Sequence, residues 1–291
     1  MDKKEGSTCD NEDWVINKIQ IKGGFKMIQI NGRIIEMKKF QDNALLFKYL
    51  PQGDETEIYW KFESNEELLG VYYLTRHLQE KGYDKLELVM PYLPNARQDR
   101  VKSESDIFTL KYFSEIINSL NFDKVYVLDP HSDVSAALIN RIYKLPVLPY
   151  IEQVTKVLKL DENKDIIFYP DSGSQKRYSE LLTFPNAFGI KRRNWENGEI
   201  EGLDVAGYIP DQPFDVLIID DISSFGGTFY FSAKKLKALG ARKIYLYVTH
   251  CENSVLEGKL LDGDLIEHIY TTDSLFTKSH EKITVLPIYI K

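Results

Sequence analysis

The amino-acid sequence predicts an α/β protein with two similar domains, each built around a parallel-sheet core. Short apolar runs that are typical of buried strands, such as 216–219, alternate with helix-like stretches, such as 229–239. Polar loops follow these apolar runs in both halves of the chain. Alternation of strands with helices favours parallel sheets whose faces are covered. We therefore predict a polar leader at 1–24, an N-terminal α/β domain at 25–149 and a C-terminal α/β domain at 150–291.

The individual elements follow from apolar periodicity and from turn residues. Alternating apolar residues at 28–35, interrupted by Asn31-Gly32, predict a hairpin. The other elements predicted in the first half are helices at 66–81, 108–120 and 134–143 and strands at 86–90 and 125–128. Those predicted in the second half are helices at 154–160, 175–182 and 229–239 and strands at 166–168, 186–191, 216–219 and 244–249. Prolines at 146 and 149 separate the two halves.

Composition excludes several classes of protein. The chain has 291 residues, of which 43% are hydrophobic and 28% charged, as in ordinary globular proteins. Its formal net charge of -7 argues against a general nucleic-acid or membrane-surface binder. No apolar run approaches the ~20 residues that a membrane-spanning helix needs. The two cysteines, Cys9 and Cys251, form neither a disulfide framework nor a zinc-binding spacing, so we expect a cytoplasmic protein.

The segment 216–228 carries the strongest chemical signal. Asp220 and Asp221 stand where the apolar strand ends, and a loop rich in Ser, Gly and Thr leads into the next helix. Ligands of open α/β sheets bind beyond the carboxyl ends of strands, and a small-residue loop at a helix start presents N–H groups to an anion. A carboxylate pair beside such a loop suits a phosphorylated sugar. The alternative is an ordinary strand-to-helix turn with an acidic N-cap.

Four further segments carry groups suited to phosphate or metal, and each has a structural alternative. Arg97-Gln98-Asp99 and Lys191-Arg192-Arg193 could equally be solvated charged runs. His131, in Asp129-Pro130-His131, could be a hydrogen-bonded structural histidine. Asp171, which opens the run to Arg177, could cap the next helix.

In combination, these segments resemble the ribose-phosphate pyrophosphokinase family, also called phosphoribosyl-pyrophosphate synthetases. Residues 91–99 resemble the family's ATP-binding segment, and Asp129-Pro-His131 is similar to its histidine-bearing segment. Residues 170–177 match its Pro-Asp-x-Gly-x-x-Lys-Arg motif, Lys191-Arg-Arg193 fits the Lys-x-Arg of its flexible loop, and 220–228 resembles its ribose-5-phosphate loop. The resemblance implies two domains, each with a type I phosphoribosyltransferase-like fold, and an active site between them.

The resemblance also implies an activity and residue roles. The family transfers the β,γ-diphosphoryl group of ATP to the anomeric hydroxyl of ribose 5-phosphate and releases AMP. Lys191, Arg193 and His131 would be catalytic; Arg97, Gln98, Asp99 and His131 would bind ATP; and His131 and Asp171 would hold Mg²⁺. The ribose and its phosphate would be bound by Asp220, Asp221, Ser223, Ser224, Phe225, Gly226, Gly227 and Thr228. A homo-oligomer based on dimers is expected on the same ground.

Two departures from the family pattern leave the acceptor open. Where the family's loop has an acidic residue followed by a hydroxyl residue, this chain has Ser224 and Phe225. A bulky apolar ring is a poor neighbour for a phosphate dianion, because it offers no hydrogen-bond donor. The alternative acceptor is ADP-ribose, whose 5-phosphate continues into a longer chain that Phe225 could contact. The family's Phe-x-Asp-Gly-Glu segment has only partial counterparts, at 40–42 and 54–55.

Two other functions compete with a synthetase. A phosphoribosyltransferase would consume the activated sugar, but the ATP-type segment at Arg97 and the Lys191/Arg193 loop argue against it. A non-catalytic regulatory subunit is the second alternative, and the retained His131, Asp171, Lys191 and Arg193 argue against it.

Overall fold

The computed structural model describes residues 28–193 and 200–288. The first half forms a six-stranded sheet and a small two-stranded sheet. The strands are β1 (Ile28–Ile30), β2 (Arg33–Ile34), β3 (Lys38–Lys39), β4 (Leu45–Leu46), β5 (Glu57–Trp60), β6 (Glu87–Val89), β7 (Lys124–Leu128) and β8 (Ile142–Leu145). The helices are α1 (Glu66–Glu80), α2 (Thr109–Ser119) and α3 (Asp133–Leu138). The six-stranded sheet has the order β2-β1-β5-β6-β7-β8, and β5 to β8 run parallel.

The second half forms a seven-stranded sheet. Its strands are β9 (Ile166–Tyr169), β10 (Asn186–Arg193), β11 (Ile200–Gly207), β12 (Phe214–Ser223), β13 (Ala241–Cys251), β14 (His268–Thr272) and β15 (Ile283–Leu286). Its helices are α4 (Leu148–Leu158), α5 (Ser172–Tyr178) and α6 (Gly227–Ala238), with 3₁₀ turns at Ser179–Leu181 and Asn253–Glu257. The order is β11-β10-β9-β12-β13-β14-β15, and only the β10–β11 pair is antiparallel. The prediction of an α/β protein with parallel-sheet cores is confirmed.

The strand 216–219 shows why a continuous apolar run marks a central parallel strand. Val216 and Ile218 pack into the core on one face of the sheet, whereas Leu217 and Ile219 pack into the core on the other. All four side chains are fully buried. Successive residues of a strand point to opposite faces, so a strand that is covered on both sides needs apolar residues at every position.

The predicted hairpin at 28–35 is confirmed, since β1 and β2 pair antiparallel around Asn31-Gly32. Both turn residues have positive φ, 45° and 73°, as the tight turn of a two-residue hairpin requires.

The predicted helix at 134–143 is wrong in its second half. Helix α3 ends at Leu138, and β8 begins at Ile142. Arg141 between them adopts a left-handed conformation, with φ of 55°, which a helix cannot continue through. Parallel pairing of β8 with β7 overrides the local helical spacing.

The predicted boundary at 149/150 lies inside α4. Pro149 occupies the first turn of this helix, where a missing N–H costs no hydrogen bond. The helix also begins earlier than predicted and ends at a left-handed Lys159. Its buried residues Tyr150, Ile151 and Val154 pack in the core that contains β9 and β12. The predicted leader at 1–24 lies outside the described residues.

Within the described residues, no helix is both long and apolar enough to cross a membrane.

Candidate active site

An ion-pair cluster joins the two domains at the carboxyl ends of their strands. Arg177, on α5, places Nη2 3.0 Å from Asp220 Oδ1 and 2.6 Å from Asp221 Oδ1. Its Nη1 donates to the His131 carbonyl at 2.9 Å. His131 Nδ1 lies 2.6 Å from Asp221 Oδ2. Helix α5 follows β9, which neighbours β12, so both elements deliver their charged residues to the same edge of the sheet.

The two carboxylates of this cluster are not equivalent. Burial tends to raise the pKa of Asp221, but hydrogen bonds and charge from His131 and Arg177 outweigh it and hold that pKa well below its usual range. Burial raises the pKa of Asp220 well above its usual range, and the charge of Asp221 raises it further. Negative charge is therefore concentrated on Asp221. An ionised carboxylate only accepts, so His131 donates its Nδ1–H to Asp221.

The small-residue loop after β12 is shaped by close backbone packing. Gly226 has φ of 79°, and a Cβ there would lie 2.7 Å from Leu260 Cδ2. A Cβ on Gly258 would lie 1.9 Å from the Phe225 carbonyl oxygen. Both glycines are therefore needed for this loop path. The loop opens α6 at Gly227, whose first-turn N–H groups have no partners within the helix and so suit an anion.

Asp171 has the structural role that sequence alone left open. Its Oδ1 accepts from the backbone N–H groups of Gly173 at 3.0 Å and Ser174 at 3.1 Å, and it forms a capping box with Ser174. Asp171 also lines the cleft between the domains. Asp171 therefore both caps α5 and lines the cleft.

The three residues predicted to bind ATP on the first domain have different surroundings. Arg97 Nη1 reaches Ser224 Oγ at 3.0 Å and Glu252 Oε1 at 3.4 Å, both on the second domain. Gln98 Oε1 accepts from the Thr109 hydroxyl. Asp99 is buried and accepts from Arg100 Nε at 2.8 Å. Gln98 and Asp99 are thus engaged within their own domain.

Lys191 and Arg193 lie in β10, in the part that extends past the sheet. β10 pairs with β9 only over residues 186–188, and its remaining residues pair with β11 alone. Because β9 and β10 run parallel, this hairpin extends from the carboxyl edge, where the cleft lies. The side chains of Lys191 and Arg193 lie outside the described part of the structure.

A cleft of about 1380 Å³ runs between the two domains. The predicted site residues that line it are Arg97, His131, Asp171, Asp220, Asp221, Ser224, Phe225, Gly226, Gly227 and Thr228. Among the predicted residues whose side chains the structure describes, three are absent from this lining: Gln98, Asp99 and Ser223. Ser223 is buried and donates to the Ser224 carbonyl at 3.3 Å. The partial counterparts of the family's Phe-x-Asp-Gly-Glu segment, at 40–42 and 54–55, do not line the cleft either.

Sequence reasoning did not assign site roles to several charged residues of the cleft, namely Arg100, Asp129, Asp133, Lys144, Lys176 and Arg177. Arg177 is the most consequential, since it contacts both carboxylates. Its position in the matched Pro-Asp-x-Gly-x-x-Lys-Arg motif could have identified Arg177 as a site residue. Asp171 caps the helix, and a residue about one and a half turns later points back toward the sheet edge. Lys144 carries no such local signal.

Two α/β domains with parallel-sheet cores meet at a polar cleft, so the chain is a two-domain α/β protein whose cleft lies at the carboxyl ends of its strands. No protein-family model matches the chain. Ribose-phosphate pyrophosphokinase from Pyrococcus abyssi is 30% identical over 224 residues, which are 74% of this chain and 75% of that protein. The enzyme of the same name from Haemophilus influenzae is 26% identical over 220 residues, 73% of this chain and 68% of that one. The chain belongs to the ribose-phosphate pyrophosphokinase family.

The fold is that of a solved relative. The crystal structure of phosphoribosylpyrophosphate synthetase from Mycobacterium smegmatis superposes with a TM-score of 0.73 at 17% identity, covering 88% of this chain and 86% of that one. The family resemblance predicted from the sequence motifs is confirmed.

Proposed function

We propose that this protein is a diphosphokinase that transfers the β,γ-diphosphoryl group of ATP to the anomeric hydroxyl of ribose 5-phosphate. The anomeric oxygen forms a bond to the β-phosphorus, and the bond from that phosphorus to the oxygen shared with the α-phosphate breaks. AMP leaves with that oxygen, and the hydroxyl proton is released. Such an in-line substitution needs positioning and charge neutralisation more than a covalent nucleophile.

The observation that carries the proposal is the meeting of His131, Arg177 and Asp221. His131 comes from the ATP-type half of the chain, whereas Asp221 opens the sugar-type loop, and their side chains are 2.6 Å apart. Two substrates bound to these two halves would therefore have their reacting groups in one cleft. Asp220 and Asp221 would accept from ribose hydroxyls, and Lys191 and Arg193 would neutralise charge on the diphosphoryl group.

The cleft suits Mg²⁺ that is bound mainly by substrate and water. No group of three or more His, Cys, Asp or Glu side chains in the described part of the chain could hold a metal ion. Mg²⁺ usually keeps several waters and binds through one or two carboxylates and substrate phosphates. Asp171 and His131 line the cleft and would hold such an ion. When bound, Mg²⁺ would offset the negative charge of the phosphates. We also propose a homo-oligomer based on dimers, on the family resemblance alone, and a cytoplasmic location, on the cysteine content of the chain.

ADP-ribose is a second candidate acceptor, and Phe225 favours it. The ring is 58% exposed and lines the cleft beside Gly226, where a 5-phosphate would bind. A terminal phosphate dianion gains no hydrogen bond from this ring. In ADP-ribose the 5-phosphate is joined through an anhydride to a longer chain, so it carries less charge and adds groups that can pack on the ring.

The test is to incubate the protein with ATP and Mg²⁺, adding ribose 5-phosphate or ADP-ribose separately, and to measure AMP and product masses. AMP with a diphosphorylated ribose 5-phosphate supports the first acceptor, and AMP with ADP-ribose alone supports the second. No AMP with either acceptor would contradict both and favour the non-catalytic subunit.

The variant Phe225→Thr sharpens this test. If the ring excludes the phosphate dianion, the variant should use ribose 5-phosphate about tenfold better relative to ADP-ribose, the equivalent of one hydrogen bond to a charged group. Phe231→Thr is the matched control, because Phe231 is also exposed, at 50%, but does not line the cleft. An unchanged acceptor ratio in Phe225→Thr would discard the role of the ring.

A further inference from the structure

The second domain contacts a short run of the first domain at almost every position. His250 Nε2 lies 3.1 Å from the Leu128 carbonyl oxygen. Two hydroxyls of the second domain bind Asp129, and Arg177 binds the carbonyl of His131. This run ends β7 and leads directly to the histidine of the candidate active site. Its conformation is therefore determined by the other domain as much as by its own.

Asp129 is the centre of this junction. Its Oδ2 accepts from Tyr178 Oη at 2.7 Å and also from Thr249 Oγ1. Tyr178 ends α5, whereas Thr249 lies in β13, so two separate elements converge on one carboxylate oxygen. Asp129 is only 9% exposed, and both donors are buried.

The backbone at Asp129 needs these contacts. Its φ of 45° lies in the left-handed region, which costs a residue other than glycine free energy unless tertiary contacts hold it there. The following residue is Pro130, which limits the backbone of the residue before it and fixes its own φ. Asp129 and His131 are therefore joined by a stiff link, and a change in the first moves the second.

From this geometry we propose that Asp129 is a positioning residue: its carboxylate, held by Tyr178 and Thr249, sets the His131 imidazole against Asp221. This inference rests on the proposed function for its effect on turnover, but not for its effect on His131. Asp129 acts through the backbone, because its Oδ2 is engaged by the hydroxyls of Tyr178 and Thr249.

The first measurement needs no activity. Thr249→Val and Tyr178→Phe each remove one donor and leave the Asp129 charge in place. In the full-length protein, ¹⁵N NMR of the histidine rings should show a shifted His131 Nδ1 signal in both variants, with the signal identified by its loss in His131→Gln. Thr75→Val is the matched control, because Thr75 is also a buried threonine whose hydroxyl donates one hydrogen bond, to the Val71 carbonyl at 2.7 Å. An unchanged His131 signal in both variants would overturn the proposal.

The second measurement is the turnover number per folded molecule. Asp129→Ala should lower kcat about 100-fold, as misplacement by about 1 Å does elsewhere, while the KM values for ATP and acceptor change less than about threefold. Asp129→Asn should recover most of the loss, since its amide oxygen accepts hydrogen bonds and asparagine tolerates positive φ. A lower melting temperature with unchanged kcat in Asp129→Ala would mean a purely structural role and would overturn the proposal. If the wild-type protein makes no AMP, the proposed function fails, while the NMR comparison still decides the position of His131.

Discussion

The two halves of the cleft are organised differently, although both place polar residues just after strands. In the second domain, Asp220 and Asp221 are largely buried and share Arg177, so their positions are set by strand register and ion pairs. In the first domain, Arg97 has a side chain that is 54% exposed and rests on Ser224 and Glu252 of the other domain. The half that we propose binds the acceptor is therefore built before a ligand arrives, whereas the half that we propose binds ATP depends on contacts across the cleft. The following substitutions test this difference between the two halves.

Asp221→Asn should have the largest effect. The variant keeps the shape of the side chain but removes the charge that Arg177 and His131 share. We expect turnover to fall at least about 100-fold and the free energy of unfolding to fall by about 3 kcal/mol, because a buried cation loses its main partner. AMP release and urea denaturation measure the two effects. The exposed Asp211→Asn serves as the control, and near-normal turnover in Asp221→Asn would refute the preformed acceptor half.

Lys191→Ala should separate catalysis from stability. Its position on the extended β10–β11 hairpin predicts that turnover falls about 100-fold, since a cation that neutralises diphosphoryl charge is lost. If the side chain makes no structural contact, the free energy of unfolding should change by less than about 0.5 kcal/mol, which is the usual range for surface substitutions. The comparison is with Lys243→Ala, because Lys243 is an exposed lysine in β13. A large loss of stability in Lys191→Ala would show that the side chain is structural.

Arg97→Gln and Gln98→Ala together test the ATP half. Arg97→Gln should raise the KM for ATP about tenfold, which is the loss expected for a hydrogen bond to a charged group. Gln98→Ala should change that KM less than about twofold, because Gln98 is bonded to Thr109 within its own domain. Steady-state kinetics at saturating acceptor measures both. Equal losses would mean that Gln98 turns toward the cleft when ATP binds.

His250→Gln should change the pH dependence of stability. Burial lowers the pKa of His250 from 6.5 to about 4 in the folded protein. Between these values the unfolded chain takes up a proton that the native state excludes, so this group removes up to about 3 kcal/mol of stability as the pH falls. Burial raises the pKa of Asp129 to about 6, so the native state binds a proton that the unfolded chain does not. This group therefore adds stability as the pH falls, over nearly the same pH range.

Because these two contributions oppose each other, the informative quantity is the difference between His250→Gln and the wild type. Urea denaturation at pH 7, 5.5 and 4.5 should show that the variant gains stability relative to the wild type as the pH falls. A constant difference across this range would mean that His250 does not titrate as the structure indicates.

Much of the fold was predictable from local patterns. The fully apolar run at 216–219 identified the central strand, because a strand covered on both faces needs apolar residues at every position. The helix predicted at 134–143 failed because the left-handed Arg141 ends the helical path and β7 offers a partner for the residues after it. Ten of the predicted site residues line the cleft, since polar residues just after parallel strands collect at one edge.

The sequence by itself determined the alternation of strands and helices, the edge where ligand-binding groups collect and the family motifs along the chain. Tertiary structure alone decided which groups meet. The 2.6 Å contact of His131 with Asp221 spans 90 positions, the two hydroxyls on Asp129 come from different elements, and Gln98 and Asp99 are engaged within their own domain. The local sequence pattern shows whether a segment has the period of a helix or of a strand. The direction of a buried charged side chain depends instead on partners that are distant in sequence and compensate for its burial.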